Sequence, residues 1–62
     1  MHEDVKDMIR IAFTDTTENT SDSYEIRLVM VGYLSGLHDS KLISEEEFEK
    51  IAHDIMVYLG EA

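Results

Sequence analysis

Three histidines are the first residues to consider, because imidazole binds metal ions and exchanges protons near neutral pH. His38 and His53 are each followed by Asp, and His2 precedes Glu3 and Asp4. No two of them have the i, i+4 spacing of a zinc-binding helix, and no third ligand follows at a fixed interval. The sequence therefore predicts no metal and no cofactor, with a metal-dependent activity through His38 and His53 as the alternative.

Other catalytic and ion-binding patterns are also missing. A calcium loop beginning at Asp15 would need Gly at its sixth position and Glu at its twelfth, where the chain has Thr20 and Ile26. There is neither a nucleophile elbow nor a glycine-rich phosphate loop. The absence of Cys excludes thiolate chemistry and disulfides. We predict no catalytic residue and expect that the protein is not an enzyme.

Charge gives the strongest compositional signal. Fourteen acidic residues against five basic ones give a net charge of −9. Binding to phosphates requires Lys and Arg, so the charge argues against direct contact with nucleic acid or an anionic membrane. The expected partner is a larger basic protein, including one that binds nucleic acid. Without an apolar signal segment or a membrane-length run, the expected location is the cytoplasm.

The elements that position the charged residues follow from apolar spacing. A chain of 62 residues forms one domain with a thin core. Apolar residues from Val5 to Phe13 recur at helical spacing and predict a first helix over about 2–14. Residues 14–23 are polar and rich in turn formers, which predicts a linker. Asp22 and Glu25 then resemble a capping box that begins a second helix.

The second element, about 23–37, is apolar nearly all round. Residues 24–31 also alternate as a strand would, but a lone strand among helices has no pairing partner, so a helix is favoured. Gly32 and Gly36 lie on one ridge of that helix and allow another backbone to approach. Together with Tyr33 and Leu28, they form a candidate self-association site, and a homodimer is possible.

The third helix, about 44–59, has the clearest boundaries. Ser44 and Glu47 form a capping box, while Ile43 and Phe48 form a hydrophobic staple across it. Gly60 ends the helix. The first turn is also strongly acidic, which suits the positive end of the helix dipole.

Exposed carboxylates form the candidate partner-binding surface. One group is predicted on the third helix and a second on the first; the members are Glu45, Glu46, Glu49, Asp54, Glu3, Asp4 and Asp7. Such an array can dock against a basic groove by imitating the spacing of phosphates. The alternative is a solvated helix surface that only aids solubility.

Residues 34–55 resemble the short C-terminal domain pattern called SHOCT, in which a leucine-bearing helix and an Ile-Ser step precede Glu-Glu-Phe. The matching positions are Leu34, Leu37, Leu42, Ile43, Ser44, Glu46, Glu47 and Phe48. Lys41 stands where that pattern commonly has Gly. The resemblance implies a module for interaction or oligomerisation without activity of its own.

By composition, the chain is similar to small acidic inhibitors from phages and mobile elements, including anti-CRISPR proteins. Our overall prediction is an all-α domain: an antiparallel hairpin of the second and third helices, with the first helix closing its open side. The predicted function is that of a non-enzymatic inhibitor or adaptor, acting as a DNA mimic on a basic surface. A SHOCT-like self-association module is the alternative.

Overall fold

A computed structural model describes residues 1–61 and contains three helices in this range. They are α1, Glu3–Asn19; α2, Ser23–Asp39; and α3, Glu45–Tyr58. The described residues form no strand, so the all-α prediction is confirmed and residues 24–31 are helical. The ends of α2 and α3 lie within two residues of the predicted ones.

The predicted linker over 14–23 is wrong for most of its length, because α1 continues to Asn19 and only residues 20–22 connect it to α2. The hydroxyl of Thr16 donates to the carbonyl of Ala12 at 2.7 Å, and the Asn19 amide donates to Asp15 at 2.7 Å. These polar side chains form their hydrogen bonds with backbone carbonyls of the preceding turn of the helix. Thr16 is half-buried beside Met30, so tertiary packing favours the longer helix.

The core is centred on α2. Met30 and Leu34 have no exposed surface, because α2 packs against both other helices. The remaining buried apolar side chains come from all three helices and the second connection; they are Val5, Ile9, Ile26, Leu37, Ile43 and Ile55. Burial of these side chains is the main source of stability in a chain without disulfides.

The first helix packs against the hairpin mainly through α2 and leaves part of its open side uncovered. α1 and α3 run parallel on either side of α2, and no Cα atom of Glu3–Asn19 lies within 8 Å of one in Glu45–Tyr58. The rings of Phe13 and Tyr58 bridge the two helices edge to face, with centroids 5.1 Å apart. A groove therefore remains between α1 and α3.

The connection from α2 to α3 is tightly specified. Lys41 has φ +63°, its amide donates to His38, and the amide of Leu42 donates to Leu37 at 2.9 Å. These two bonds define a Schellman motif with Lys41 in the left-handed position. Ile43 follows and is buried. Within residues 1–61, the helices are too short or too polar to cross a bilayer.

Candidate functional site

The up-down-up order places the starts of α1 and α3 and the end of α2 at one end of the molecule. The N-terminal amine of Met1 lies 2.9 Å from Glu47 Oε2, which joins the beginnings of α1 and α3. A depression lined by Met1, Asp39, Lys41 and Ser44 shows that the end of α2 lies beside them. We call the exposed carboxylates here the acidic end; its members are Glu3, Asp4, Asp39, Glu45 and Glu46.

Glu47 is adjacent to this end, but both of its oxygens have partners. Oε1 accepts from the Ser44 amide at 2.8 Å, while the Ser44 hydroxyl accepts from the Glu47 amide at 3.0 Å. The capping box is therefore present as predicted. The hydrogen bond from the Ser44 amide, followed by the Met1 ammonium, holds the pKa of Glu47 below its usual value. Glu47 therefore stabilises the fold and is not one of the carboxylates available to a partner.

The structure brings together only part of the predicted acidic array. Glu45 and Glu49 are one turn apart and share a flank of α3. Asp54 lies five residues beyond Glu49, about 140° around the helix, and lines the groove between α1 and α3. It is held 3.2 Å from Lys50. Asp7 lies 3.8 Å from Arg10 on the outer side of α1.

Sequence reasoning missed Asp39, because its place at this end depends on the direction of α2. Three carboxylates of α3 are exposed and have no ion-pair partner within 4.0 Å in residues 1–61: Glu45, Glu46 and Glu49. Glu3 has a weak exposed partner, Lys6 at 3.6 Å, whereas the Asp4 carboxylate lies 3.7 Å from His2 Nδ1, the atom that accepts from the Asp4 amide. The α3 carboxylates are consequently the ones most accessible to a cationic partner.

The predicted self-association residues lie on the outer side of α2. Leu28, Gly32 and Gly36 are exposed at successive intervals of four, and beyond the adjacent helix backbone a Cβ at either glycine would have no atom within 4 Å. Neither glycine is therefore used for packing inside the described chain. Tyr33 differs, since it is half-buried and packs against the core. Val29, half exposed, completes an uncharged surface that we call the glycine face.

The groove between α1 and α3 was not predicted. It has a volume of about 640 Å³, and its apolar floor comes from Ile9, Phe13, Ile51 and Ile55. Apolar spacing marked these residues as core, and nothing in the spacing indicates that two parallel helices stand apart. The rims carry charges of both signs, with Lys6 and Arg10 on the α1 side and Glu47, Lys50 and Asp54 on the α3 side.

The three histidines have different surroundings. His2 caps α1 by accepting from the Asp4 amide at 3.1 Å. His38 packs against the ring of Phe48 near the end of α2, and His53 is exposed on α3. Among residues 1–61, no three His, Asp or Glu side chains are grouped to hold a metal ion.

In comparisons with known proteins, no family model, curated protein or solved structure matches this chain.

Proposed function

We propose that this protein is a small non-enzymatic binding module, an inhibitor or adaptor, whose acidic end occupies a basic surface of a larger protein. The observation that supports this proposal is the convergence of carboxylates from three separate helix ends. Glu45 and Glu46 begin α3, Glu3 and Asp4 begin α1, and Asp39 ends α2, so all five belong to the same end of the molecule. Because the helices already fix the backbone at this end, only the side chains must be ordered when a partner binds.

The charge at this end matches a protein that binds nucleic acid. Such proteins hold phosphates with Lys and Arg, which accept carboxylates in the same positions. An inhibitor of the anti-CRISPR type or another DNA mimic would work in this way. The net charge of −9 would accelerate the encounter with a basic partner, and added salt would slow it.

A matched pair of triple variants tests this proposal. In the first, Glu45, Glu46 and Glu49 become Lys; in the second, Asp15, Glu18 and Glu25 become Lys, which changes the net charge equally at the other end. Immobilised wild-type protein and both variants would be exposed to native host extract, and the retained proteins identified by mass spectrometry. A basic protein should be retained by wild type and the second variant and lost by the first.

The same partner should dissociate when the salt concentration is raised from about 50 to about 500 mM. Retention of one partner by all three proteins would contradict a role for the acidic end. Loss from both triple variants would assign the attraction to net charge alone and would also contradict it. Circular dichroism of each variant checks that the helices are intact.

A second candidate is a self-association module, which the glycine face supports. Leu28 and Val29 are half exposed beside two glycines that leave open space for another backbone. Lys41 adopts the left-handed conformation favoured by Gly, and it stands where the SHOCT pattern commonly has Gly. That correspondence is one of backbone geometry only, because Lys41 departs from the pattern in sequence.

The two candidates differ in what a glycine substitution does. Gly36→Leu should disrupt a dimer, whereas Thr14→Leu, an exposed change on α1, should not. Gly36→Ala should raise monomer stability by about 0.5–1 kcal/mol, since Gly is a poor helix former, while weakening the dimer. Light scattering across the micromolar range measures association; a monomeric wild type would exclude this second candidate.

A further inference from the structure

We infer that α1 opens and closes as a unit on a hairpin of α2 and α3 that stays folded. The two parts of the molecule are held unequally. The connection between α2 and α3 buries Ile43, whereas residues 20–22, between α1 and α2, include no buried residue. Elements with few buried apolar contacts open at a lower free energy than the rest of a protein. By this criterion, α1 is the element that opens first.

The buried core belongs mainly to the hairpin. Of the eight buried apolar side chains in residues 1–61, α1 supplies two, Val5 and Ile9, and both lie in its first half. The others come from α2, α3 and the connection between them. Ala12 and Phe13 add partly buried surface to the share of α1. Because apolar burial is the main stabilising term, detaching α1 costs much less than unfolding the whole chain.

The second half of α1 has little helical stability of its own. Residues 14–19 read TDTTEN, and all of them except Glu18 are weak helix formers. The hydroxyls of Thr16 and Thr17 donate to carbonyls one turn back, at 2.7 and 3.0 Å, and such bonds slightly weaken a helix. Short isolated helices are marginal in water. Once α1 leaves α2, its amides therefore lose their helical hydrogen bonds.

The contacts that join α1 to α3 lie at the two ends of the groove and outside the buried core. At one end, the Met1 amine lies 2.9 Å from the partly exposed carboxylate of Glu47, and exposed ion pairs contribute little. At the other end, the ring of Phe13 meets that of Tyr58, which is 65% exposed. Between these ends the two helices stand apart. Opening of α1 therefore leaves the packing of α3 on α2 intact.

Opening changes the acidic end. Glu3 and Asp4 belong to that end only while α1 is docked, so the open state keeps Asp39, Glu45 and Glu46 there. A basic partner that contacts all five carboxylates would bind the closed state and hold α1 in place. This consequence rests on the proposed function, whereas the opening itself does not.

Native-state hydrogen exchange of the full chain tests the inference. Exchange would be followed by NMR at several urea concentrations below the unfolding transition. Relative to their intrinsic rates, the α1 amides of Ile11 and Phe13 should exchange at least about tenfold faster than those of Leu34 in α2 and Ala52 in α3. Exchange detects opening whether or not the acidic end binds a partner, so the two proposals fail separately.

A matched pair of variants distinguishes opening of α1 from global unfolding. Ile43→Val, in the hairpin, should accelerate exchange of the Leu34 and Ala52 amides about two- to tenfold. It should leave the α1 amides unchanged, because the hairpin is intact in both the closed and the open state. Ile9→Val, in α1, should accelerate exchange in all three helices about two- to tenfold, since its contacts are broken by either event.

Equal exchange in all three helices would overturn the inference, because the chain would then unfold as one unit. An acceleration of the α1 amides by Ile43→Val as large as that of the Leu34 amide would do so as well. Faster exchange in α3 than in α1 would assign the opening to the wrong helix and would also contradict it. Circular dichroism checks that both variants are folded.

Discussion

The two connections between helices reverse the chain in different ways. Residues 20–22 join α1 to α2 through a polar turn: the Thr20 hydroxyl accepts from the Asp22 amide at 3.1 Å, and Asp22 then caps α2. Residues 40–44 join α2 to α3 through a left-handed Lys41 and a buried Ile43. The first connection is held by local hydrogen bonds alone, whereas the second also buries a side chain in the core.

This difference explains why the acidic end has a defined geometry. Glu45 and Glu46 follow directly after Ile43 and Ser44, so the second connection determines where α3 begins and which way its carboxylates point. The carboxylates near the first connection, such as Glu18 and Asp22, lie beside a turn with no buried residue. Mutations in the second connection should therefore have the larger effects.

The largest expected effect comes from Ile43→Ala. Removing a buried branched side chain from the second connection should lower the free energy of unfolding by about 2–5 kcal/mol. That is a large part of the total for a domain of this size, so Ile43→Val, with an expected loss of about 0.5–1.5 kcal/mol, provides a folded alternative.

The matched change in the first connection is Thr20→Ala, with an expected loss of about 0.5–1 kcal/mol from its hydrogen bonds. Urea unfolding measures all three variants. Equal losses for Ile43→Ala and Thr20→Ala would show that the two connections do not differ as described.

Removing the N-cap of α3 and removing the N-cap of α2 should lower the stability by more similar amounts. Ser44→Ala removes one hydrogen bond of the capping box and should cost about 1–2 kcal/mol. Asp22→Ala removes a cap without the reciprocal bond and should cost about 1 kcal/mol. The midpoint of urea unfolding gives the ranking, and a greater loss for Asp22→Ala would reverse it.

Two residues in the left-handed conformation, one after α2 and one after α3, should change the stability in opposite directions when they are substituted. Gly60 has φ +76° and occupies in α3 the place that Lys41 has after α2. Gly60→Ala should destabilise the protein by about 1 kcal/mol, because Ala is strained in that conformation. Lys41→Gly should relieve similar strain and stabilise it by up to about 1 kcal/mol, reduced by the greater freedom of Gly when unfolded. Thermal unfolding would contradict this interpretation if Lys41→Gly lowered the midpoint.

The smallest expected effect is the pH dependence from Glu47. Its pKa is lower in the folded protein than the ordinary value of 4.5. The folded state therefore binds this proton less readily, and the stabilisation is complete above the unfolded pKa and lost as the pH falls through the folded one. Glu47→Gln should remove this contribution, so its urea midpoint should fall less than that of wild type between about pH 5 and 3. Glu46→Gln, an exposed neighbour, is the control and should follow wild type.

Short-range sequence patterns account for the parts of the fold that were predicted well. The capping box at Ser44 and Glu47, and the apolar stripes, depend on residues within one or two turns of each other. The end of α1 was misplaced because Thr and Asp are weak helix formers, and their contribution was outweighed by packing against α2. The charges of the acidic end were evident from the sequence, but their grouping at one end depended on helix direction.

The sequence by itself determined where α2 and α3 begin, which residues are apolar enough for the core, and the strong negative charge. Only the tertiary structure decided that carboxylates from three helix ends lie at the same end of the molecule, that Asp54 turns toward the groove, and that α1 and α3 stand apart. The physical reason is the separation along the sequence over which each kind of interaction acts. Caps and stripes act within a few residues, whereas the direction and separation of helices depend on how α2 is packed between two neighbours.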